Sequence, residues 1–198
     1  MYNKVDLADR CAPDDFFVMR EEIMSKEFDS WLASYLGEKK SEVSLLIRDR
    51  TALDFLISWS IFESDCFSGF CKLDEIKSYS VKLVESAKYR TGSISRYVEH
   101  FHERYQQNKL YKNLMHKQKC KNAEIILSKK INDLEENEKV FLLVLVVYRY
   151  RNNIFHGNKG VSSWLAYKEQ IKMCCEVMHH FIGMSEVAHN KSKHTDAA

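Results

Sequence analysis

Residues 137–156 read NEKVFLLVLVVYRYRNNIFH, and they contain the longest apolar run of the chain. The run from Val140 to Val147 is apolar throughout, which is typical of a helix buried at the centre of a bundle. Glu138 suits the N-terminal end of such a helix, and Gly157 favours its termination. The apolar run is too short to span a bilayer. We therefore predict a central helix over residues 137–156.

The composition favours helices along the rest of the chain. The 198 residues include only six glycines and one proline, and 45% of them are hydrophobic. Turn-rich β architectures usually need more glycine and proline, because tight turns require fixed or positive φ angles. We expect an all-α fold in which residues 1–188 form one helical domain, with its core at about 40–185. Residues 189–198 are small and polar, and we expect them to be a disordered tail.

Apolar residues at helical spacing predict further helices around the central one. The predicted elements are a helix that ends at Gly37, one capped by Ser41, helices over 53–70 and 72–89, one from Ser93 to about Gln107, one over 123–134, and a last one from Ser162 or Ser163 to Met184. Residues 109–120 fit either a helix or a mobile connection.

The six cysteines do not form a metal-binding or disulfide pattern. They contain no CxxC pair, so we expect reduced thiols, no metal and no cofactor. Residues 1–20 contain acidic side chains and no apolar run, unlike a signal peptide. The net charge of +2 says little about partners. We expect a cytoplasmic protein that does not interact with membranes.

Polar and charged side chains interrupt the central helix over its last two turns. They are Arg149, Arg151, Asn152, Asn153 and His156. Burying charge is costly unless it is paired or solvated, so this end should reach a cleft, a partner or water. Helical spacing places Asn152 and His156 on one face, Arg149 almost below His156, and Arg151 about 140° around the helix from it. Spacing alone leaves Arg149 and Arg151 as rivals for one role.

These side chains suit RNA cleavage without a metal. Histidine can transfer protons near neutral pH, and a guanidinium can hold a phosphate through two hydrogen bonds. RNA supplies its own nucleophile, the ribose 2′-hydroxyl, and would be left with a 2′,3′-cyclic phosphate. The alternative is that Arg151 and His156 interact only with the C-terminal dipole of the helix and with nearby carboxylates.

The pair Arg151-Asn152, followed by His156, resembles the R-x4-6-H motif of the HEPN superfamily (higher eukaryotes and prokaryotes nucleotide-binding domains). Arg149 fits only the longer spacing, and the resemblance favours Arg151 because asparagine directly follows it. The motif covers six residues, and the helical context extends the resemblance loosely over about 40–185. Some family toxins carry a tyrosine two residues after the histidine, where this chain has Asn158. Neutralisation by modification of that tyrosine is therefore in doubt.

The resemblance implies a HEPN-like helical bundle with additional helices. It implies a metal-independent endoribonuclease that acts at a homodimer cleft, with Arg151 as phosphate clamp, His156 as general acid or base, and Asn152 as a positioning group. Arg149, Asn153 and Glu63 are candidate supporting residues. Many family members act in toxin–antitoxin or phage-defence systems, so an antitoxin or defence-system partner is expected.

Two further charged features leave alternatives open. Glu63 lies in an otherwise apolar helix, where it either orients Arg151 or His156 or sits at a solvated edge beside Asp65. The segment from 104 to 130 is strongly basic and contains tyrosines, which suits RNA binding as well as a solvated surface. The candidate RNA-binding residues in it are Lys109, Lys112, Lys117, Lys119 and Lys121.

Two other functions are compatible with the same residues. The chain could be a non-catalytic RNA-binding, nucleotide-binding or protein-interaction module, as the basic segment suggests. The polar end of the central helix could instead serve only dimer packing. A test for RNA cleavage distinguishes the ribonuclease hypothesis from both of these alternatives.

Overall fold

The computed structural model describes residues 26–116, 118–155 and 167–185, apart from the side chains of Leu46 and Phe155. Within these ranges the regular structure is helical and contains no strand, which confirms the all-α fold. None of the described helices is long and apolar enough to cross a membrane. The predicted tail at 189–198 and the predicted helix start at Ser162 or Ser163 lie outside the described residues.

The chain divides into two compact units at Arg50. In the first unit, α1 (26–36) ends at Gly37, whose φ of +70° favours glycine, as predicted. The helix α2 (Lys40–Arg48) follows. The amide of Glu42 already bonds to the carbonyl of Lys39, so Ser41 lies inside α2 and the prediction that it caps this helix was wrong.

The second unit contains the remaining helices. They are α3 (Thr51–Phe67), α4 (Glu75–Glu85), α5 (Ser95–Gln106), α6 (Asn108–Met115), α7 (Lys121–Ser128), α8 (Glu136–Phe155) and α9 (Lys168–Met184). The helix α6 shows that the first part of the segment 109–120 is helical. The predicted single domain over 1–188 stays a prediction.

The helix α8 lies at the centre of the second unit. It contacts α4, α5, α6, α7 and α9, while α3 packs mainly on α9. Every side chain from Val140 to Val147 is buried, which confirms the prediction made from the apolar run. Full burial of a side chain of this size contributes about 1.5–3 kcal/mol, so this run is a major source of stability.

The helix ends differ from the predictions where side chains bond locally. The hydroxyl of Ser93 donates to the carbonyl of Arg90 at 2.8 Å, within a short 3₁₀ turn. Because Ser93 is occupied there, α5 begins only at Ser95, and the prediction that Ser93 caps it was wrong. The helix α3 stops at Phe67, before the predicted residue 70, because Ser68 and Gly69 adopt left-handed φ angles of +54° and +99°.

Candidate active site at the C-terminal end of α8

The last two turns of α8 divide four polar side chains between two faces. Arg149 and Asn153 are each only 2% exposed, whereas Arg151 and Asn152 are half-buried. Residues four apart lie about 40° apart around a helix, while Arg151 lies about 200° from Arg149. The difference in burial therefore distinguishes the two arginines that spacing alone left as rivals.

Arg149 and Asn153 bind the C-terminal end of α6. Arg149 donates from Nη2 to the Met115 carbonyl at 2.9 Å, from Nε to the Leu114 carbonyl at 3.3 Å, and from Nη1 to Gln118 Oε1 at 2.6 Å. Asn153 Nδ2 also donates to the Leu114 carbonyl, at 3.0 Å. The last carbonyls of a helix lack partners within that helix and favour a cation, so these two side chains cap α6.

The contacts of Arg149 favour a structural role for it. Burial lowers the pKa of its guanidinium below the usual value, although arginine remains charged at neutral pH. Three of its nitrogen atoms already donate to groups at the end of α6 and just beyond it. Because binding a phosphate would require it to leave these acceptors, Arg151 is the better candidate for a phosphate clamp.

Arg151 stacks on an aromatic ring of α3. Its guanidinium carbon lies 5.6 Å from the centroid of Trp59, and its Nη1 donates to Asn152 Oδ1 at 3.0 Å. The ring of Tyr148 lies 6.4 Å from that of Trp59. A guanidinium over the face of a tryptophan ring is attracted by the ring electrons and keeps its charge, which a phosphate can bind. Trp59 and Asn152 both help to orient Arg151.

Glu63 supports this arrangement through Trp59. Its Oε2 accepts from Trp59 Nε1 and its Oε1 accepts from the backbone amide of Cys71, both at 3.0 Å. Glu63 therefore positions the ring on which Arg151 stacks, and both of its oxygens are engaged within the protein. Sequence reasoning missed Trp59, although a tryptophan four residues before Glu63 lies on the same helix face.

The thiol beside this cluster is not an activated nucleophile. Cys71 is buried, and burial, together with the nearby carboxylates of Glu63 and Glu75, raises its pKa to about 12 although Arg151 acts to lower it. A thiol with so high a pKa is protonated at neutral pH and reacts slowly.

His156 and Lys117 lie outside the described residues. In the described ranges, no group of three or more histidine, cysteine, aspartate or glutamate side chains is arranged to hold a metal ion. The part of the site that the structure describes is thus an oriented arginine on a rigid support, with an asparagine beside it.

The structure brings two of the candidate lysines together. Lys112 on α6 and Lys119 just before α7 line one cavity of about 490 Å³, which Tyr111 and Gln118 also line. Lys109 and the first residue of α7, Lys121, are exposed but do not line this cavity.

Comparisons of this chain with protein-family models, with curated proteins and with solved structures gave no match. The resemblance to the HEPN superfamily therefore stays a prediction that depends on residues 151–156 and on the helical context.

Proposed function

We propose that this chain is a metal-independent endoribonuclease of the HEPN type, with its active site at the C-terminal end of α8. The observation that carries the proposal is the separation of the two arginines. Arg149 is buried against α6, whereas Arg151 is half-buried, stacked on Trp59 and hydrogen-bonded to Asn152. An arginine held in this way, with a histidine five residues later in the sequence, suits a phosphodiester that carries its own nucleophile.

In the proposed reaction, Arg151 binds the scissile phosphate and stabilises the negative charge that develops on it. The ribose 2′-oxygen attacks phosphorus and loses its proton, while the bond from phosphorus to the 5′-oxygen breaks and that oxygen gains a proton. The products are a 2′,3′-cyclic phosphate and a 5′-hydroxyl. His156 transfers one of these protons, and Asn152 keeps Arg151 in its orientation.

A second copy of the chain completes the site in this proposal. One chain supplies one His156, whereas the reaction moves one proton from the nucleophile and another to the leaving group. A homodimer that faces two copies of the motif across one cleft supplies a histidine for each transfer. From the same resemblance we propose a cytoplasmic toxin or phage-defence effector that acts on RNA and is restrained by an antitoxin or another defence partner.

RNA cleavage by the purified protein in EDTA tests the proposal. We expect Arg151→Ala and His156→Ala each to slow cleavage by about 10²-fold or more, which is typical of losing a charge-stabilising or proton-transferring group. Arg96→Ala is the matched control, because Arg96 is an exposed arginine that pairs with Glu176. The cleaved ends should carry 2′,3′-cyclic phosphates.

Two results would contradict this function. Full activity in both variants would show that the motif is not the active site, and a strict requirement for a divalent metal would exclude the proposed chemistry. If His156→Ala instead lowers only thermal stability or dimerisation, the motif is a packing element.

A non-catalytic RNA-binding module is the second candidate, and the cavity lined by Lys112 and Lys119 favours it. RNA binding by the wild-type protein, without cleavage under any of these conditions, would support it.

A further inference from the structure

We infer that the cavity lined by Lys112 and Lys119 binds one nucleotide of a single-stranded RNA, and that it is a substrate subsite separate from Arg151. We call it the lysine cavity; its other lining residues are Asn108, Tyr111, Met115, Gln118 and Glu124. The inference rests on the proposed function for its choice of RNA as the ligand. The shape and the lining of the cavity come only from residues that the structure describes.

The size of the lysine cavity suits a small ligand. Its volume of about 490 Å³ falls within the range of roughly 300–1,000 Å³ that is usual for ligand pockets. A duplex cannot insert a base into such a cavity without breaking its pairing, whereas a single strand presents unstacked bases. The cavity therefore favours single-stranded RNA.

The charge of the lysine cavity suits a phosphate. Lys112 and Lys119 are both exposed, and neither ammonium forms an ion pair with another described residue. Each can contact a phosphate oxygen without first breaking an interaction within the protein. Glu124 also lines the cavity, and its carboxylate opposes the binding of an anion.

The remaining wall suits a nucleobase. Tyr111 is half-buried, which restricts its ring, and its hydroxyl lies 3.5 Å from the Cys120 carbonyl, a weak contact. Burial raises the pKa of Tyr111 to about 12, so the phenol stays protonated as a donor. A base can stack on such a ring whatever its identity, so little sequence preference is expected from this contact. Because Gln118 Oε1 accepts from Arg149, the Nε2 hydrogens of Gln118 can donate to a base.

Arg149 connects the lysine cavity to the helix that carries Arg151. It donates to the Met115 carbonyl and to Gln118, and both residues line the cavity. A buried guanidinium of α8 thus fixes the wall that presents Lys112 and Lys119. Arg149 is therefore a positioning residue for the subsite and does not itself contact RNA.

Equilibrium binding of a fluorescent single-stranded RNA tests the inference. The measurement is made in EDTA on the Arg151→Ala background, so that cleavage cannot interfere. We expect Lys112→Glu combined with Lys119→Glu to weaken binding at least about tenfold, and the salt dependence of log K to flatten by about 1.4, or 0.7 for each lost phosphate contact. The matched control is Lys77→Glu combined with Lys82→Glu, which reverses the charge of two exposed lysines of α4. This control should weaken binding much less.

Two single variants test the chemistry of the wall. Tyr111→Leu removes the stacking ring and should weaken binding about fivefold or more, with an unchanged salt dependence, because stacking on one base contributes about 1–3 kcal/mol. Glu124→Gln removes the opposing charge and should strengthen binding. Circular dichroism checks the fold of each variant, and Lys112→Gln and Lys119→Gln replace the charge reversals if the double variant does not fold.

The outcomes separate this inference from the proposed function. Equal losses from the α4 control pair and from the cavity pair would overturn the inference, as would equally tight binding of a duplex of the same length. Binding of adenosine monophosphate with no binding of the oligomer would overturn the assignment to RNA. If the wild-type protein, which retains Arg151, cleaves no RNA but the cavity variants still lose RNA binding, the proposed function is contradicted. The inference of an RNA-binding subsite is then still supported.

Discussion

Replacement of Arg149 by methionine should destabilise the protein far more than replacement of Arg151 by alanine. Methionine keeps much of the apolar stem of arginine but removes every donor. Gln118 Oε1 then loses its bond to Arg149, while the Met115 carbonyl keeps its bond from the backbone amide of Gln118 and the Leu114 carbonyl keeps its bond from Asn153. The end of α6 would remain buried against α8 with fewer donors.

The magnitude follows from the three hydrogen bonds of Arg149. Bonds to a charged group contribute about 1.5–3 kcal/mol each, but the bond to Leu114 is long at 3.3 Å and its acceptor keeps a second donor. Removal of the guanidinium also relieves the cost of burying it. We therefore expect a net loss of about 2–4 kcal/mol, less than the full contribution of the two shorter bonds. Arg151→Ala should cost about 1 kcal/mol or less, the value of one stacked cation.

Urea denaturation followed by circular dichroism measures both free energies of unfolding. The two arginines lie two residues apart on one helix, so each serves as the control for the other. Asn153→Ala should lose about 1–2 kcal/mol and gives a milder variant if Arg149→Met does not fold, because it removes one hydrogen bond to Leu114. A loss below 1 kcal/mol for Arg149→Met, or an equal loss for Arg151→Ala, would refute the assignment of the two faces.

Three further predictions concern other side chains. Trp59→Phe should slow RNA cleavage about 2- to 5-fold, since the ring under Arg151 becomes smaller. It should also lower the melting temperature, because it removes the Trp59 Nε1 donor to Glu63 and leaves a cavity at a buried site. Cys174→Ser should cost about 1–2 kcal/mol in urea denaturation, because it buries a hydroxyl where a thiol is fully enclosed. Burial raises the pKa of Glu136, but hydrogen bonds from Lys139 and Tyr89 outweigh it and hold this pKa below 4.5. Glu136 therefore stabilises the fold above pH 4.5 and loses this effect as the pH falls, so Glu136→Gln should flatten the acid limb of a stability–pH curve.

The sequence was sufficient to predict the central helix because burial alone determines its pattern. Every residue from Val140 to Val147 is apolar, and no other element has to be known to place such a run in a core. The caps were harder to predict. Ser41 and Ser93 both fit a cap by type, but Ser41 lies within α2 and Ser93 donates to Arg90. Serine bonds to several nearby backbone groups, so its type does not determine which of them it binds.

The roles of the two arginines depend on residues far away in the sequence. The partners of Arg149 are 31 to 35 residues earlier, in and after α6, and Trp59 lies on α3. Spacing along α8 shows that the arginines lie on different faces but not which neighbour each face meets.

The same division of faces links stability to the proposed activity. One face of α8 holds the end of α6, and with it the wall of the lysine cavity, while the other carries Arg151 on Trp59. A rigid helix therefore fixes the distance between a subsite for one nucleotide and an arginine for the scissile phosphate. Arg149→Met should then weaken RNA binding at Lys112 and Lys119, even though Arg149 does not contact RNA in this proposal. Arg151→Ala should slow cleavage and leave the binding at these two lysines unchanged.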